Sequence, residues 1–223
     1  MKYQFNMQLI DGNPVIEHNS KHYLVDTGNP STLANEAITD FCGLDWPAKR
    51  SFMGASLDSI SEMVGSPLDG MIGLDIMSKF AVTFDYGNGT ITFSSEVDDN
   101  LEYTPINTNF GVITEMQLDG HPHECIIDSG ARLSYLMGSI PETAVLVGHK
   151  SDYHPLNGHF ETDVYETTAT LARQPFKMKF GKLPTMLEMA LGLTRVKAII
   201  GYDLLSQYQV TIDFLNNRMA LSH

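Results

Sequence analysis

The stretches His22-Tyr23-Leu24-Val25-Asp26-Thr27-Gly28 and Cys125-Ile126-Ile127-Asp128-Ser129-Gly130 follow the same plan. Each contains an apolar run that predicts a strand, and each run ends in an aspartate, a hydroxyl residue and a glycine. One such triplet arises easily by chance in a chain of 223 residues. Two of them can supply the paired carboxylates that acid and base chemistry needs.

A second pair of matched segments lies downstream of the triplets, at residues 71–80 and 199–208. Each runs directly into a predicted hairpin, at residues 81–93 and 209–221, because polar and apolar residues alternate there. The interval from Gly to Asp is the same in both copies, since 85 − 73 and 213 − 201 both give 12. The chain therefore contains an internal duplication with a period of about a hundred residues, well above the repeat length of solenoid proteins.

The pattern predicts an all-β fold with short helices, built from two related halves. We place the first half at residues 1–95 and the second at 108–223, with the acidic, turn-rich residues 96–107 as the linker. Short helices are expected at residues 33–41, where Leu33, Ala37 and Phe41 have helical spacing, and also at 74–80 and 202–208.

The two copies differ mainly in length between the triplet and the later glycine. Asp26 to Gly73 spans 47 residues and Asp128 to Gly201 spans 73, so the second copy has 26 more. These extra residues alternate in polarity around a turn signal at Asn157-Gly158, which predicts a long hairpin. Such a hairpin is long enough to lie over a cleft.

Charge and composition argue against several classes of binding partner and indicate the cellular compartment. The net charge is −13 and no run of Lys or Arg occurs, which argues against nucleic acid and anionic membrane surfaces. No stretch approaches 18 apolar residues, and residues 1–10 alternate like a strand and lack the apolar core of a signal peptide. The two cysteines occupy non-equivalent positions in the copies, which favours a reducing cytoplasm over a disulfide framework.

Together, the two triplets and the two apolar-apolar-Gly-x-Asp segments resemble those of the aspartic peptidases. The hairpin pattern is most similar to the retropepsin branch, fused into one bilobal, pepsin-like chain. The resemblance implies two lobes of the acid-protease barrel type, with segments 71–73 and 199–201 behind the triplets. It implies a catalytic dyad of Asp26 and Asp128, supported by Thr27, Gly28, Ser129 and Gly130.

The chemistry implied by the resemblance is peptide-bond hydrolysis by a water held between the two aspartates. Two carboxylates about 3 Å apart cannot both ionise cheaply, so the pair keeps one shared proton and provides both an acid and a base. The expected substrate is a peptide or unfolded protein, and neither a cofactor nor a metal is needed. Because both copies lie in one chain, we expect a monomer.

Departures from the family pattern leave a second interpretation open. Asn29-Pro30 and Ala131-Arg132 follow the triplets where pepsin-type lobes carry small hydroxyl residues, so the alternative is a non-catalytic peptide-binding protein with the same fold. A flap over the cleft would come from residues 50–60, around Phe52-Met53-Gly54, or from residues 153–160. The longer second copy favours the latter as the main flap.

Two other groups of residues have simpler interpretations. His121, His123 and Cys125 alternate along one strand face, an arrangement that zinc could use, but no fourth ligand is evident and a half-exposed strand face explains them better. The repeated aspartates of the downstream segments fit caps and turns, and we leave them out of the site. They are Asp75, Asp85, Asp203 and Asp213.

Overall fold

A computed structural model of the chain describes residues 1–52, 54–154, 157–192 and 194–223. Strands hold about half of these residues and helices about a tenth, which confirms the all-β class. The strands of the first half and the linker are β1 (Lys2–Ile10), β2 (Asn13–His18), β3 (Lys21–Val25), β4 (Leu33–Ala34), β5 (Ile38–Phe41), β6 (Leu44–Trp46), β7 (Ser51–Phe52), β8 (Ala55–Ser56), β9 (Gly70–Ile72), β10 (Ala81–Asp85), β11 (Thr90–Ser94) and β12 (Tyr103–Pro105).

The second half continues with a further set of strands, and four short helices are described in the whole chain. The strands are β13 (Val112–Leu118), β14 (His121–Ile127), β15 (Ser134–Leu136), β16 (Val145–His154), β17 (Gly158–Leu171), β18 (Gln174–Gly181), β19 (Ala198–Ile200), β20 (Gln209–Asp213) and β21 (Arg218–Ser222). The helices are α1 (Leu57–Val64), α2 (Leu74–Met77), α3 (Thr185–Gly192) and α4 (Tyr202–Gln207). None of these helices is long and apolar enough to cross a membrane.

Two large sheets contain most of the described strands. A ten-stranded sheet has the order β12-β21-β20-β10-β11-β1-β2-β3-β9-β4, and a seven-stranded sheet has the order β13-β14-β19-β15-β18-β17-β16. The larger sheet combines strands of both halves, because β20 and β21 pair beside β10 and β11. Part of the predicted linker also joins this sheet, since β12 pairs with β21.

The two copies meet through equivalent residues of equivalent strands. Strands β10 and β20 pair antiparallel, with Thr83 opposite Thr211 and their hydroxyl oxygens 3.0 Å apart. The two threonines are 128 positions apart, as are Gly73 and Gly201. A local two-fold axis therefore passes between Thr83 and Thr211, and it relates the paired strands β10 and β20.

The main hydrophobic core is also shared by both halves. Phe84 and Phe93 of the first half and Phe176 and Phe180 of the second are fully buried in one continuous cluster. Smaller clusters lie to either side: Leu24 and its neighbours pack under α1 in the first half, and Leu133 and its neighbours pack under α3 in the second.

The short helices are only partly as expected. Helices α2 and α4 form at the repeated segments, as predicted. The helix expected at residues 33–41 is wrong, because this segment forms β4 and β5 instead. Leu33 pairs with Met71 of β9, and positive φ angles at Asp40 (52°) and Cys42 (53°) are incompatible with a helix. Tertiary strand pairing therefore overrides the helical spacing of the apolar residues.

Gly201 provides a test of how tightly the second matched segment packs. A Cβ built on it would lie 2.1 Å from the carbonyl oxygen of Ala131, so the backbone has to move to admit a side chain. We predict that Gly201→Ala lowers the free energy of unfolding by about 1–3 kcal/mol, measured by urea denaturation. Gly148→Ala is the matched control, because a Cβ there meets nothing within 4 Å and should change stability by less than about 0.5 kcal/mol. Equal effects of the two substitutions would contradict this packing.

Candidate active site

Asp26 and Asp128 follow two equivalent strands, β3 and β14, whose last residues, Val25 and Ile127, are fully buried. Strand β3 pairs parallel with β9, and the Asp26 N–H donates to the carbonyl oxygen of Ile72 at 3.0 Å. Strand β14 pairs parallel with β19, and the Asp128 N–H donates to the carbonyl oxygen of Ile200 at 2.9 Å. The parallel pairing of each strand thus continues by one hydrogen bond, which fixes the backbone of the aspartate.

The two hydroxyl residues that follow the aspartates hydrogen-bond across the copies in a reciprocal way. Thr27 Oγ1 donates to the carbonyl oxygen of Ile127 at 2.8 Å and accepts from the Ser129 N–H at 2.9 Å. In the equivalent arrangement, Ser129 Oγ donates to the carbonyl oxygen of Val25 at 2.7 Å and accepts from the Thr27 N–H at 3.0 Å. Both side chains are buried, so water cannot replace these bonds.

The glycines of the triplets allow each aspartate to approach the opposite copy. A Cβ on Gly28 would lie 2.4 Å from Asp128 Oδ2, and a Cβ on Gly130 would lie 2.7 Å from the Cγ of Asp26. Each carboxyl therefore packs against the backbone of the other triplet. Close approach, and not a left-handed backbone, is the reason for glycine at these two positions.

The carboxyl groups of Asp26 and Asp128 face each other, each against the glycine of the opposite triplet, and their environment favours a shared proton. Burial raises the pKa of both groups, and the charge of Asp128 raises the pKa of Asp26 further, to well above its ordinary value. The N–H groups of Gly28 and Gly130, at 2.8 and 2.9 Å from Oδ1 of their own aspartates, oppose this shift. The pair titrates as a unit, and one proton remains bound where isolated aspartates have lost both.

Matching backbone bonds tie each triplet to the segment behind it. The Leu74 N–H donates to the carbonyl oxygen of Asn29, and the Tyr202 N–H donates to that of Ala131, both at 2.9 Å. Segments 71–73 and 199–201 thus lie against the triplets.

Two further hydroxyl residues support these segments, and they were missed from the sequence. Thr32 Oγ1 accepts from the Gly73 N–H at 3.0 Å, and Ser134 Oγ accepts from the Gly201 N–H at 3.2 Å. Each lies six positions after its aspartate, since 32 − 26 and 134 − 128 both give 6. This repeated interval is the signal that would have identified them.

The repeated aspartates outside the triplets have supporting contacts that differ between the copies. Asp75 accepts from both the N–H and the hydroxyl of Thr32, whereas Asp203 accepts from the Lys179 N–H at 2.8 Å. Asp85 and Asp213 accept from backbone N–H groups in the turns that follow them. None of the four belongs to the pair of facing carboxyls.

The long insertion of the second copy forms the antiparallel hairpin β16–β17, whose end lies near α1 of the first copy. His159 Nε2 is 3.5 Å from Glu62 Oε1, and burial together with the charge of Glu62 raises the pKa of Tyr153. In the first copy, β7 and β8 form only a two-residue pairing before α1. Met53 of the first flap candidate, and Pro155 and Leu156 of the second, lie outside the described residues.

Arg132 joins three parts of the chain beside Asp128. Its guanidinium donates to Asp152 Oδ1 at 2.7 Å, to the Ser151 carbonyl oxygen at 3.2 Å and to the carboxylate of Asp11. The buried Asp152 also accepts from the hydroxyl of Tyr135. The segment after the second triplet is thereby fixed to the hairpin and to the β1–β2 turn.

The strand face considered for zinc does not form a metal cluster. His121 is exposed, His123 is half-buried and Cys125 is fully buried on β14. Across the described ranges, no group of three or more His, Cys, Asp and Glu side chains is placed to hold a metal ion. The zinc interpretation therefore gains no support from these residues.

No protein-family model matches this chain, and no curated protein matches its sequence significantly. A functional assignment therefore depends on the geometry of the site. That geometry consists of two facing carboxyls, the buried Asp26 and the half-buried Asp128, held by symmetric contacts between the copies.

The reciprocal hydroxyl contacts should contribute strongly to stability. Thr27→Val keeps the shape but leaves the Ser129 N–H and the Ile127 carbonyl without their partner, so we predict a loss of about 2 kcal/mol or more in the free energy of unfolding. Thr27→Ser is the matched control, since it keeps the hydroxyl and removes one methyl group, worth about 0.8 kcal/mol. Urea denaturation should rank the variants in this order, and equal losses would refute the role of the hydroxyl.

The raised pKa of Asp26 predicts a stability difference that changes with pH. A carboxyl whose pKa is higher in the folded state favours folding most below its unfolded pKa, and this contribution disappears as pH rises through the folded value. The stability of the wild type relative to Asp26→Asn should therefore fall as pH rises, by about 1.4 kcal/mol for each unit by which the pKa is raised.

Denaturation of both proteins from about pH 3 to pH 8 measures this difference. The control is Asp98→Asn, because hydrogen bonds from Asn100 lower the pKa of the exposed Asp98. The stability of the wild type relative to Asp98→Asn should therefore rise as pH rises. A difference between wild type and Asp26→Asn that does not change with pH would contradict the shared proton.

Proposed function

We propose that this protein is an aspartic endopeptidase of the retropepsin and pepsin type. The supporting observation is that Asp26 and Asp128, at equivalent positions of two copies, face each other, each carboxyl packed against the glycine of the other triplet. On this proposal the copies are the two lobes of an acid protease, residues 1–95 and 108–223, and the extended peptide lies between them. The enzyme acts as a monomer, because one chain supplies both aspartates.

The proposed reaction uses the single shared proton of the dyad. A water bound between the carboxyls attacks the peptide carbonyl carbon, and the ionised carboxylate accepts a proton from that water. The protonated partner donates its proton to the carbonyl oxygen, which gives a neutral tetrahedral diol. One carboxyl of the dyad then donates a proton to the amide nitrogen while the other carboxylate accepts a proton from one hydroxyl of the diol, so the C–N bond breaks, an acid and an amine are released, and the dyad again holds one proton.

The hairpin β16–β17 is the proposed flap over the bound peptide. The contact of His159 with Glu62 of α1 connects this hairpin of the second copy to the first copy. Binding of an extended chain beneath it requires this exposed contact to open, and exposed ion pairs are weak. The proposal therefore assigns the cover of the cleft mainly to the second lobe.

A reducing cytoplasm is the proposed location, since Cys42 and Cys125 are both buried and unpaired. Burial raises the pKa of each thiol to about 12, so neither is a reactive thiolate.

The alternative function is peptide binding without turnover. Each of the two carboxyls accepts a hydrogen bond from the glycine N–H of its own triplet. Among their described contacts there is no Ser or Thr hydroxyl. Asn29-Pro30 and Ala131-Arg132 occupy the positions where such hydroxyls would be expected. A dyad with less outer support could hold a peptide and cleave it poorly.

Proteolysis of an unfolded protein distinguishes the two functions. We predict cleavage between about pH 3 and pH 7 that declines as the second proton leaves the dyad, and inhibition by a statine-type peptide. Asp26→Asn and Asp128→Asn should each lower kcat by about a thousandfold or more, because neither leaves a pair that can act as both acid and base.

Asp203→Asn is the matched control for these variants. Asp203 belongs to a repeated motif, but its carboxylate accepts a hydrogen bond from the Lys179 N–H. The side-chain oxygen of an asparagine can accept the same hydrogen bond. This variant should retain activity within a fewfold of the wild type. Undiminished cleavage by Asp26→Asn or Asp128→Asn would overturn the proposed function, whereas tight peptide binding without cleavage by the wild type would favour the alternative.

A further inference from the structure

The hairpin β16–β17 extends beyond the sheet that it belongs to. Strand β18 pairs with β17 only as far as Tyr165, so residues 158–164 of β17 have residues 148–154 of β16 as their only described strand partner. This outer part of the hairpin reaches the dyad, because Phe160 lines the same cavity as Asp128. Two strands alone are marginally stable in water, so the outer part needs other contacts to keep a fixed position.

Asp152 of β16 lies in the outer part of the hairpin, and its buried carboxylate has a donor at each oxygen. Oδ1 accepts from Arg132 Nε at 2.7 Å and from the Tyr153 N–H at 2.8 Å, and Oδ2 accepts from the hydroxyl of Tyr135. Burial, and then the charge of Asp152, raise the pKa of Tyr135, so its hydroxyl remains a donor. Asp152 thus connects the hairpin to two side chains that follow the second triplet.

The residue opposite Asp152 in the hairpin is held by the same tyrosine. Phe160 pairs with Asp152 across the two strands, and the centres of the Phe160 and Tyr135 rings are 6.1 Å apart. Phe160 also packs against the buried apolar cluster that includes Leu133. Both strands of the hairpin are therefore anchored at one level on β15, which pairs with β19 behind the second triplet.

Arg132 connects this level of the hairpin to the dyad and to the first copy. It lies four positions after Asp128, and its guanidinium donates to Asp152, to the Ser151 carbonyl oxygen and to Asp11. Asp11 belongs to the β1–β2 turn of the first copy. One side chain thus fixes the hairpin, the segment after the second triplet and this turn relative to one another.

The contacts at Asp152 resist opening more strongly than the exposed contact near the end of the hairpin. Separating Asp152 from Arg132 leaves a buried charge without its partner, which makes such a state about a hundredfold or more less populated. His159 and Glu62 are both exposed, and an exposed ion pair shifts an equilibrium by about fivefold or less. The hairpin therefore stays in place at Asp152 while the contact with Glu62 opens.

We propose that Arg132 is a positioning residue that acts through Asp152 to hold the hairpin beside Asp128, which keeps one wall of the peptide cleft pre-formed. The proposal rests on the proposed function, because it takes the hairpin as the cover of the cleft. A peptide that binds a pre-formed wall does not have to order it. If the hairpin is released, only the fraction of molecules with the wall in place binds the peptide, and the apparent Kd rises by the inverse of that fraction.

Arg132→Lys tests the proposal with the positive charge kept. A lysine ammonium is a single point charge and cannot reproduce the planar fork that reaches acceptors on three segments. We expect KM for a fixed peptide, and Kd for the same peptide with a reduced amide bond, each to rise by about tenfold or more. The value of kcat should stay within about threefold of the wild type, because the bound peptide meets an unchanged dyad. A fall in kcat at unchanged KM and Kd would overturn the proposal.

Arg173→Lys is the matched control for this variant. Arg173 is exposed, and its described ion pair is with the exposed Glu102 at 3.6 Å. The control should leave KM, Kd and kcat within about twofold of the wild type, because exposed pairs contribute little. An equal rise of KM and Kd in Arg132→Lys and Arg173→Lys would show that the three contacts of Arg132 are not the cause.

Asp152→Asn breaks the same link from the other side and keeps the shape of the residue. It should also raise Kd for the reduced-amide peptide by about tenfold, and it replaces Arg132→Lys if urea denaturation shows that the lysine variant does not fold. The double variant should bind no more weakly than the weaker single variant, because both changes act on one contact. Additive effects on Kd would show that Arg132 does not act through Asp152.

Hydrogen exchange separates this proposal from the proposed function, because it needs no turnover. In Arg132→Lys, amides of the outer part of the hairpin should exchange about tenfold faster or more, while those of β20 should not change. Faster exchange and weaker peptide binding in this variant, with no cleavage by the wild type, would support the positioning role and refute the endopeptidase. Cleavage by the wild type, with exchange and Kd unchanged in Arg132→Lys, would refute the positioning role alone.

Discussion

The structure depends on the reciprocal hydrogen bonds between Thr27 and Ser129. Each hydroxyl bridges the opposite copy by donating to a strand carbonyl and accepting a backbone N–H, so neither triplet can move without breaking buried bonds. This contact holds the two strand ends together and brings the following glycines under the opposite carboxyls. The proximity of Asp26 and Asp128 is a consequence of that constraint, while burial raises the pKa of both and the charge of Asp128 raises that of Asp26 further.

The contacts around the two triplets are the same in both copies, whereas the outer elements of the two copies differ. The β10–β20 pairing sets Thr83 against Thr211, and equivalent bonds join each triplet to the segment behind it. Outside this region, the long hairpin β16–β17 belongs to the second copy alone. Arg132, also of the second copy, binds both Asp11 and Asp152. The chemistry that we propose needs the symmetric part.

The sequence predicted those parts of the structure that local patterns specify twice. The strands that lead to Asp26 and Asp128, helices α2 and α4 and the hairpins after them all follow from duplicated motifs. The segment from Leu33 to Phe41 was misassigned because its helical spacing also fits strands, and only the pairing of Leu33 with Met71 decides between them. The partners of Arg132 were not predictable, because they depend on how distant segments meet across the two copies.

The central claim is that one proton is held in common by Asp26 and Asp128. It is tested most directly by following the ¹³C resonances of the two γ-carboxyls through a pH titration, with the signals assigned from the two asparagine variants. The account predicts that both resonances respond to two coupled steps, and that the second proton leaves well above the ordinary aspartate pKa of about 3.9. Two independent single-step titrations, each near that ordinary value, would contradict it.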